Sequence, residues 1–243
     1  MTKFGIVLPQ HDSGPEELIG AAVRAEEEGL HSVWLFDHVV ARAGPTTRPI
    51  LEGWTSLATV ASETSTIGVG TLVTRVPMRN PRVLAAMAET VERIAPGRLT
   101  VGLGIGDSSN AHEHLSYGIP FPRRQERMQM LDKAITHLRD VTPATRVWVG
   151  GGSDDLMERA VRVDGWNLWG EPSVFIERRS RLAGTIGPEM PECSWAGPLP
   201  DLDTLTKLVA GGADHVIVPT GAKNASQRIS QLAELSREVN PDR

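Results

Sequence analysis

The chain has 243 residues, a formal net charge of −5 and a single cysteine, Cys193. That length suits one α/β barrel and buries a full core without disulfides, none of which one cysteine can form within the chain. Charged residues of both signs are scattered, so no basic run marks a nucleic-acid footprint. No apolar run approaches a membrane span, and the apolar stretch before Pro9 is too short for a signal peptide. A soluble, cytoplasmic protein is expected.

Short β-branched runs alternate with amphipathic stretches along the whole chain. Lys3–Leu8 reads as the first strand, ended by Pro9. Pro15 opens a helix whose Leu18, Ala22 and Ala25 share a face and whose C′ residue is Gly29. Ser32–Phe36 is the second strand, and Val40–Pro49 reads as a loop rich in Ala, Gly, Thr and Pro. A helix over Thr55–Ser62 precedes the third strand, Thr66–Thr74. Asn80 and Pro81 supply an N-cap and an N1 proline for a helix that stops at Pro96-Gly97.

The fourth strand is Arg98–Leu103. Arg124–Arg139 is a helix with Met128, Leu131, Ile135 and Leu138 on one stripe. Arg146–Val149, Gly165–Trp169, Glu192–Ala196 and His215–Val218 read as strands five to eight. Helices fall over Asp154–Val163, Val174–Leu182, Asp201–Val209 and Ala225–Val239. Eight such units predict a single (β/α)₈ barrel of parallel strands spanning residues 1–243, with an open sheet as the alternative on periodicity alone.

In a barrel, functional residues gather after the strands. Those positions hold Asp37 and His38, the segment Thr71, Leu72 and Val73, then Gly106, Asp107 and Asn110, and finally Gly150, Gly151, Gly152 and Ser153. The glycine run lies between a strand and a helix with Ser153 at its N-cap. It reads equally as a phosphate seat or a flexible turn. Histidine as a residue type suits proton transfer near neutral pH, which makes His38 a candidate, against a packing role for the ring and a capping role for Asp37. His112-Glu113-His114 has poor spacing for zinc and reads as a solvated helix start or lid, so no metal is expected. Gly102, Gly104 and Gly106 lack the frame of a dinucleotide fingerprint.

Several stretches, in order, resemble the luciferase-like monooxygenase superfamily. They are Ala25–Gly29 with Ser32–His38, Thr66–Thr74, and Arg79-Asn80-Pro81 leading into Gly97–Gly106. Tyr117–Phe121 with Arg127, and Val147–Gly152 with Asp164–Asn167, complete the set. The resemblance covers about residues 3–240 and is carried by the combination rather than by any one motif. It implies an oxidoreductase using coenzyme F420 or, alternatively, FMN. Asp37-His38 and Asn110 match the F420-dependent branch.

On that resemblance, His38 is the expected proton partner and Asp107 a second candidate. A sugar-phosphate dehydrogenase member carries Glu where Asp107 stands. The cofactor would contact Asp37, His38, Thr71, Leu72, Val73, Gly106, Asp107, Asn110 and Gly150–Ser153. A cis peptide is expected at Leu72–Val73, and a homodimer is the common state of the family. The bridge Asp140–Thr145 is shorter than in many members and implies a small substrate cover. The rival readings are an FMN-dependent monooxygenase and a non-catalytic, cofactor-binding member.

Overall fold

The computed structural model describes residues 1–40, 50–187 and 189–240. Residues 41–49 of the expected Val40–Pro49 loop lie outside the described residues. Eight parallel strands close a barrel in sequence order, with β1 Lys3–Val7 paired to both β2 Ser32–Leu35 and β8 His215–Pro219. Between them run β3 Gly68–Arg75, β4 Leu99–Gly104, β5 Arg146–Gly150, β6 Gly165–Trp169 and β7 Glu192–Ala196. The open-sheet alternative is excluded, because β8 hydrogen-bonds β1 in register from Lys3↔His215 to Val7↔Pro219. The eight strands expected from the sequence are all present, with ends shifted by at most two residues.

The helices are α1 Pro15–Glu27, α2 Gly53–Glu63, α3 Pro81–Ile94, α4 Ala111–Ser116, α5 Arg124–Val141, α6 Asp154–Ala160, α7 Pro172–Ile186, α8 Leu202–Ala210 and α9 Ala225–Val239. Asn80 caps α3 by accepting from the Arg82 amide at 2.9 Å, with Pro81 where no amide hydrogen is needed. Glu52 caps α2 through the Trp54 and Thr55 amides, which moves its start two residues ahead of Thr55. α6 ends at Ala160 rather than Val163. The Asp164 carboxylate beyond it accepts from the Val147 amide, drawing the chain into β6. Among the described residues, no helix is long and apolar enough to cross a membrane.

Two cores result. The larger lies between sheet and helices and includes Phe4, Leu57, Leu84, Leu131, Leu205 and Leu232. The smaller fills the barrel interior with Val7, Trp34, Leu72, Trp148, Ala196 and Ile217. There the Trp34 and Trp148 rings stack with centroids 4.8 Å apart, and the His215 ring meets both edge-on. Glycines make room for these indoles: a Cβ on Gly70 would sit 2.6 Å from Trp34, and one on Gly165 would sit 2.3 Å from Trp148 Nε1.

Candidate active site

A cavity of about 450 Å³ opens at the C-terminal ends of the strands. Its walls include Asp37, His38, Leu72, Val73, Gly106, Asp107, Asn110 and the backbone of Gly150, Gly151 and Gly152. Residues from β2, β3, β4, β5 and β6 thus converge on one mouth, where a barrel positions its chemistry. Thr71 and Ser153 are not among the lining residues. The Thr71 hydroxyl instead donates to the Gly102 carbonyl at 3.1 Å and accepts from Thr74 at 2.9 Å. The Ser153 hydroxyl donates to Asp155 and accepts from Arg124 at 2.9 Å.

The peptide Leu72–Val73 is cis, at the position the resemblance implies. The β3–β4 register shifts between Thr71 and Thr74. The Val73 side chain occupies space left by glycines: a Cβ on Gly104 would lie 2.4 Å from it, and one on Gly150 2.8 Å. The glycine spacing of β4 therefore admits a neighbouring strand rather than a dinucleotide.

Asp37 and His38 follow β2, yet they do not hold each other. Arg79 grips the Asp37 carboxylate with two bonds of 2.7 Å, and the Arg75 amide adds a third at 2.9 Å. His38 Nδ1 lies 2.9 Å from Glu113 Oε2. The same Glu113 carboxylate accepts from Arg75 Nη1 at 2.6 Å and from the Val39 and Val40 amides at 2.5 and 3.1 Å. Asp37, His38, Arg75 and Glu113 are all buried. Burial pushes the Glu113 pKa up, but the bonds from His38 and Arg75 outweigh it and hold the group far below the usual carboxylate range.

The expectation of a solvated segment at His112-Glu113-His114 is corrected here. Glu113 and His114 are 2% and 0% exposed, because α4 folds inward over the β2 and β3 ends. Burial, then the nearby Arg75 guanidinium, lowers the His114 pKa to about 4. Among the described residues, no group of three or more His, Cys, Asp or Glu could hold a metal ion.

Asp107 is exposed at the rim and acts as a loop cap. Its carboxylate accepts from the Ser109 amide at 2.8 Å, the Ser109 hydroxyl and the Asn110 side chain at 3.2 Å. At the glycine run, the Gly151 amide is already spent on the Asn167 carbonyl at 2.9 Å. Asp154 and Asp155 occupy the first turn of α6, where Arg181 and Arg124 pair with them. Arg124 also lines the cavity and adds a cation beside the glycines.

Sequence reasoning missed Glu113 as a site residue, together with Arg75, Arg79 and Arg124. Arg75 carried a local signal: a cation closing the apolar run of β3 needs a buried partner.

A parallel barrel with a polar, glycine-rich cavity at this mouth defines the class of (β/α)₈ enzyme scaffolds. The chain belongs to the luciferase-like monooxygenase family, whose pattern matches residues 2–183. It is 33% identical over 161 residues to an F420-dependent glucose-6-phosphate dehydrogenase of Kineococcus radiotolerans, covering 65% of this chain and 46% of the relative. A protein of the same description from Nakamurella multipartita is 28% identical over 243 residues, covering 96% and 66%. The chain thus spans about half to two thirds of the length of these curated relatives.

Among solved structures, an F420-dependent secondary alcohol dehydrogenase in complex with an F420-acetone adduct superposes with a TM-score of 0.79 at 15% identity, covering 97% of this chain and 99% of that one. The oxygenating constituent of 3,6-diketocamphane monooxygenase from Pseudomonas putida, in complex with FMN, superposes with a TM-score of 0.73 at 14% identity, covering 99% and 98%. At these identities the structural likeness speaks for the fold alone.

Proposed function

We propose that this single barrel domain is an F420-dependent oxidoreductase acting on a small organic substrate. The carrying observation is His38, a buried imidazole on the cavity wall that is anchored, among the described residues, through one ring nitrogen. The matched relatives described as F420-dependent support the cofactor. The cavity suits a flat ring with an anionic tail: Leu72, Val73, Ile105 and Leu168 give apolar walls, and Arg124 gives a cation beside the glycine run. The bound deazaflavin supplies hydride chemistry.

The residues of the chain bind, orient and move a proton. Gly150 and Gly152, which line the cavity, would hold the phosphate end together with Arg124. His38 exchanges the proton. Asp107, spent on loop capping, positions the Asn110 side of the mouth. A cytoplasmic homodimer belongs to the same reading, with Cys193 a buried free thiol.

The test is a titration of the purified protein with F420 and FMN side by side, followed by turnover of reduced F420 against a panel of carbonyl acceptors. Tight F420 binding with turnover supports the proposal. Preference for FMN with oxygen consumption would make the protein a monooxygenase. Binding without turnover on any acceptor would make it a non-catalytic carrier.

A further inference from the structure

We infer that Glu113 is the positioning residue for His38, fixing the neutral imidazole as the tautomer that carries its hydrogen on Nδ1 and leaves Nε2 as the acceptor. The inference rests on the proposed role of His38 as proton partner and names how the chain prepares that ring.

The geometry is specific. Nδ1 lies 2.9 Å from Glu113 Oε2, and both side chains are buried, so water does not compete for the contact. The carboxylate stays ionised, because Arg75 Nη1 donates to the same oxygen at 2.6 Å and two backbone amides donate to the other. An ionised carboxylate only accepts, so Nδ1 of the neutral ring must be the donor. The hydrogen bond at one ring nitrogen then dictates the state of the other.

Asp37, the neighbour in sequence, does not do this. Arg79 holds both of its oxygens and the Arg75 amide takes a third bond. The arrangement also links elements. One carboxylate from α4 holds the ring, the end of β3 and the Val39 and Val40 amides after β2, so the tautomer and the backbone that aims the ring are set together.

The experiment is nitrogen NMR of the His38 ring in this protein without cofactor or substrate, at a pH well above the ordinary histidine range. The signal is assigned by its loss in His38→Ala. The expected spectrum of the wild type shows hydrogen on Nδ1 and a bare Nε2. In Glu113→Gln, whose amide can donate to Nδ1, the Nε2-protonated form should rise at least severalfold, while Asp37→Asn should leave the ring unchanged. A wild-type ring protonated on Nε2, or on both nitrogens, overturns the inference without reference to any variant. So does a switch in Asp37→Asn that is missing in Glu113→Gln. Because no cofactor is present, failure here is separate from failure of the oxidoreductase reading, which His38→Ala tests in turnover.

Discussion

His38 and Asp107 both stand at strand ends, but the chain employs the two side chains differently. The carboxylate of Asp107 caps the turn at Ser108–Asn110, whereas the imidazole is held, among the described residues, through one ring nitrogen. Replacing His38 with Ala should lower turnover of reduced F420 by ~10²–10⁴ and leave cofactor affinity within a few-fold, the pattern for loss of a positioned acid–base group. Parallel loss of affinity and turnover would instead mark a packing ring, and comparison of pH–rate profiles separates the two.

A second residue-scale effect concerns His114, whose ring is fully buried with neither nitrogen hydrogen-bonded among the described residues and its pKa lowered to about 4. The unfolded chain takes up a proton near the ordinary histidine value of about 6.5, which the folded protein refuses until about 4. Stability is therefore lost as pH falls through that window, by up to about 3 kcal/mol. His114→Leu should flatten the pH dependence of the denaturant midpoint there. An unchanged slope would assign the acid sensitivity elsewhere, for instance to buried His215, whose pKa burial lowers to about 3.

At the scale of elements, the β5–α6 connection shows why a glycine run has to be read position by position. Gly151 has a φ of +126°, which side-chain-bearing residues rarely adopt, and a Cβ there would also fall 2.6 Å from the end of the Leu156 side chain. A side chain there strains the fold and is a poor probe of phosphate binding. At Gly152 the clash of 2.9 Å is with the far end of the Leu168 side chain, which can move. Gly152→Ala should fold with a stability change of about 1 kcal/mol or less and weaken F420 binding. Gly151→Ala should lose more, about 1–3 kcal/mol, measured by denaturation without ligand. Equal F420 affinity in a folded Gly152→Ala protein would reduce the run to a turn.

Strands were legible where short β-branched runs are bounded by Gly and Pro, as His215–Val218 between Gly212 and Pro219 illustrates. α4 was not legible as a buried helix. Its burial depends on a hydrogen bond from Glu113 to His38 and an ion pair to Arg75, 75 and 38 residues away in sequence, and no local pattern encodes such partners.

At the scale of the whole molecule, closure depends on the last helix as much as on the last strand. α9 buries Ile229, Leu232 and Ala233 in the main core and packs on α1 and β1. Asn240 beyond it donates to the Thr2 carbonyl at 2.9 Å, joining the two ends of the described chain. Truncation before Ala225 should abolish cooperative unfolding, since each of the two large side chains returns about 1.5–3 kcal/mol of burial to water. A truncated chain that still melts in one sharp transition would mean that the helix only decorates the barrel.

The indoles inside the barrel also make the molecule optically self-reporting. Trp34 and Trp148 stack inside the barrel, while Trp169, 46% exposed, stands in the wall of the cavity. A deazaflavin absorbs where tryptophan emits, so a molecule of it at the mouth would drain their excited state by resonance energy transfer. Titrating unlabelled protein should dim its ultraviolet emission in proportion to occupancy. A Trp169→Phe variant should still respond through the interior pair, because such transfer acts well beyond contact distance.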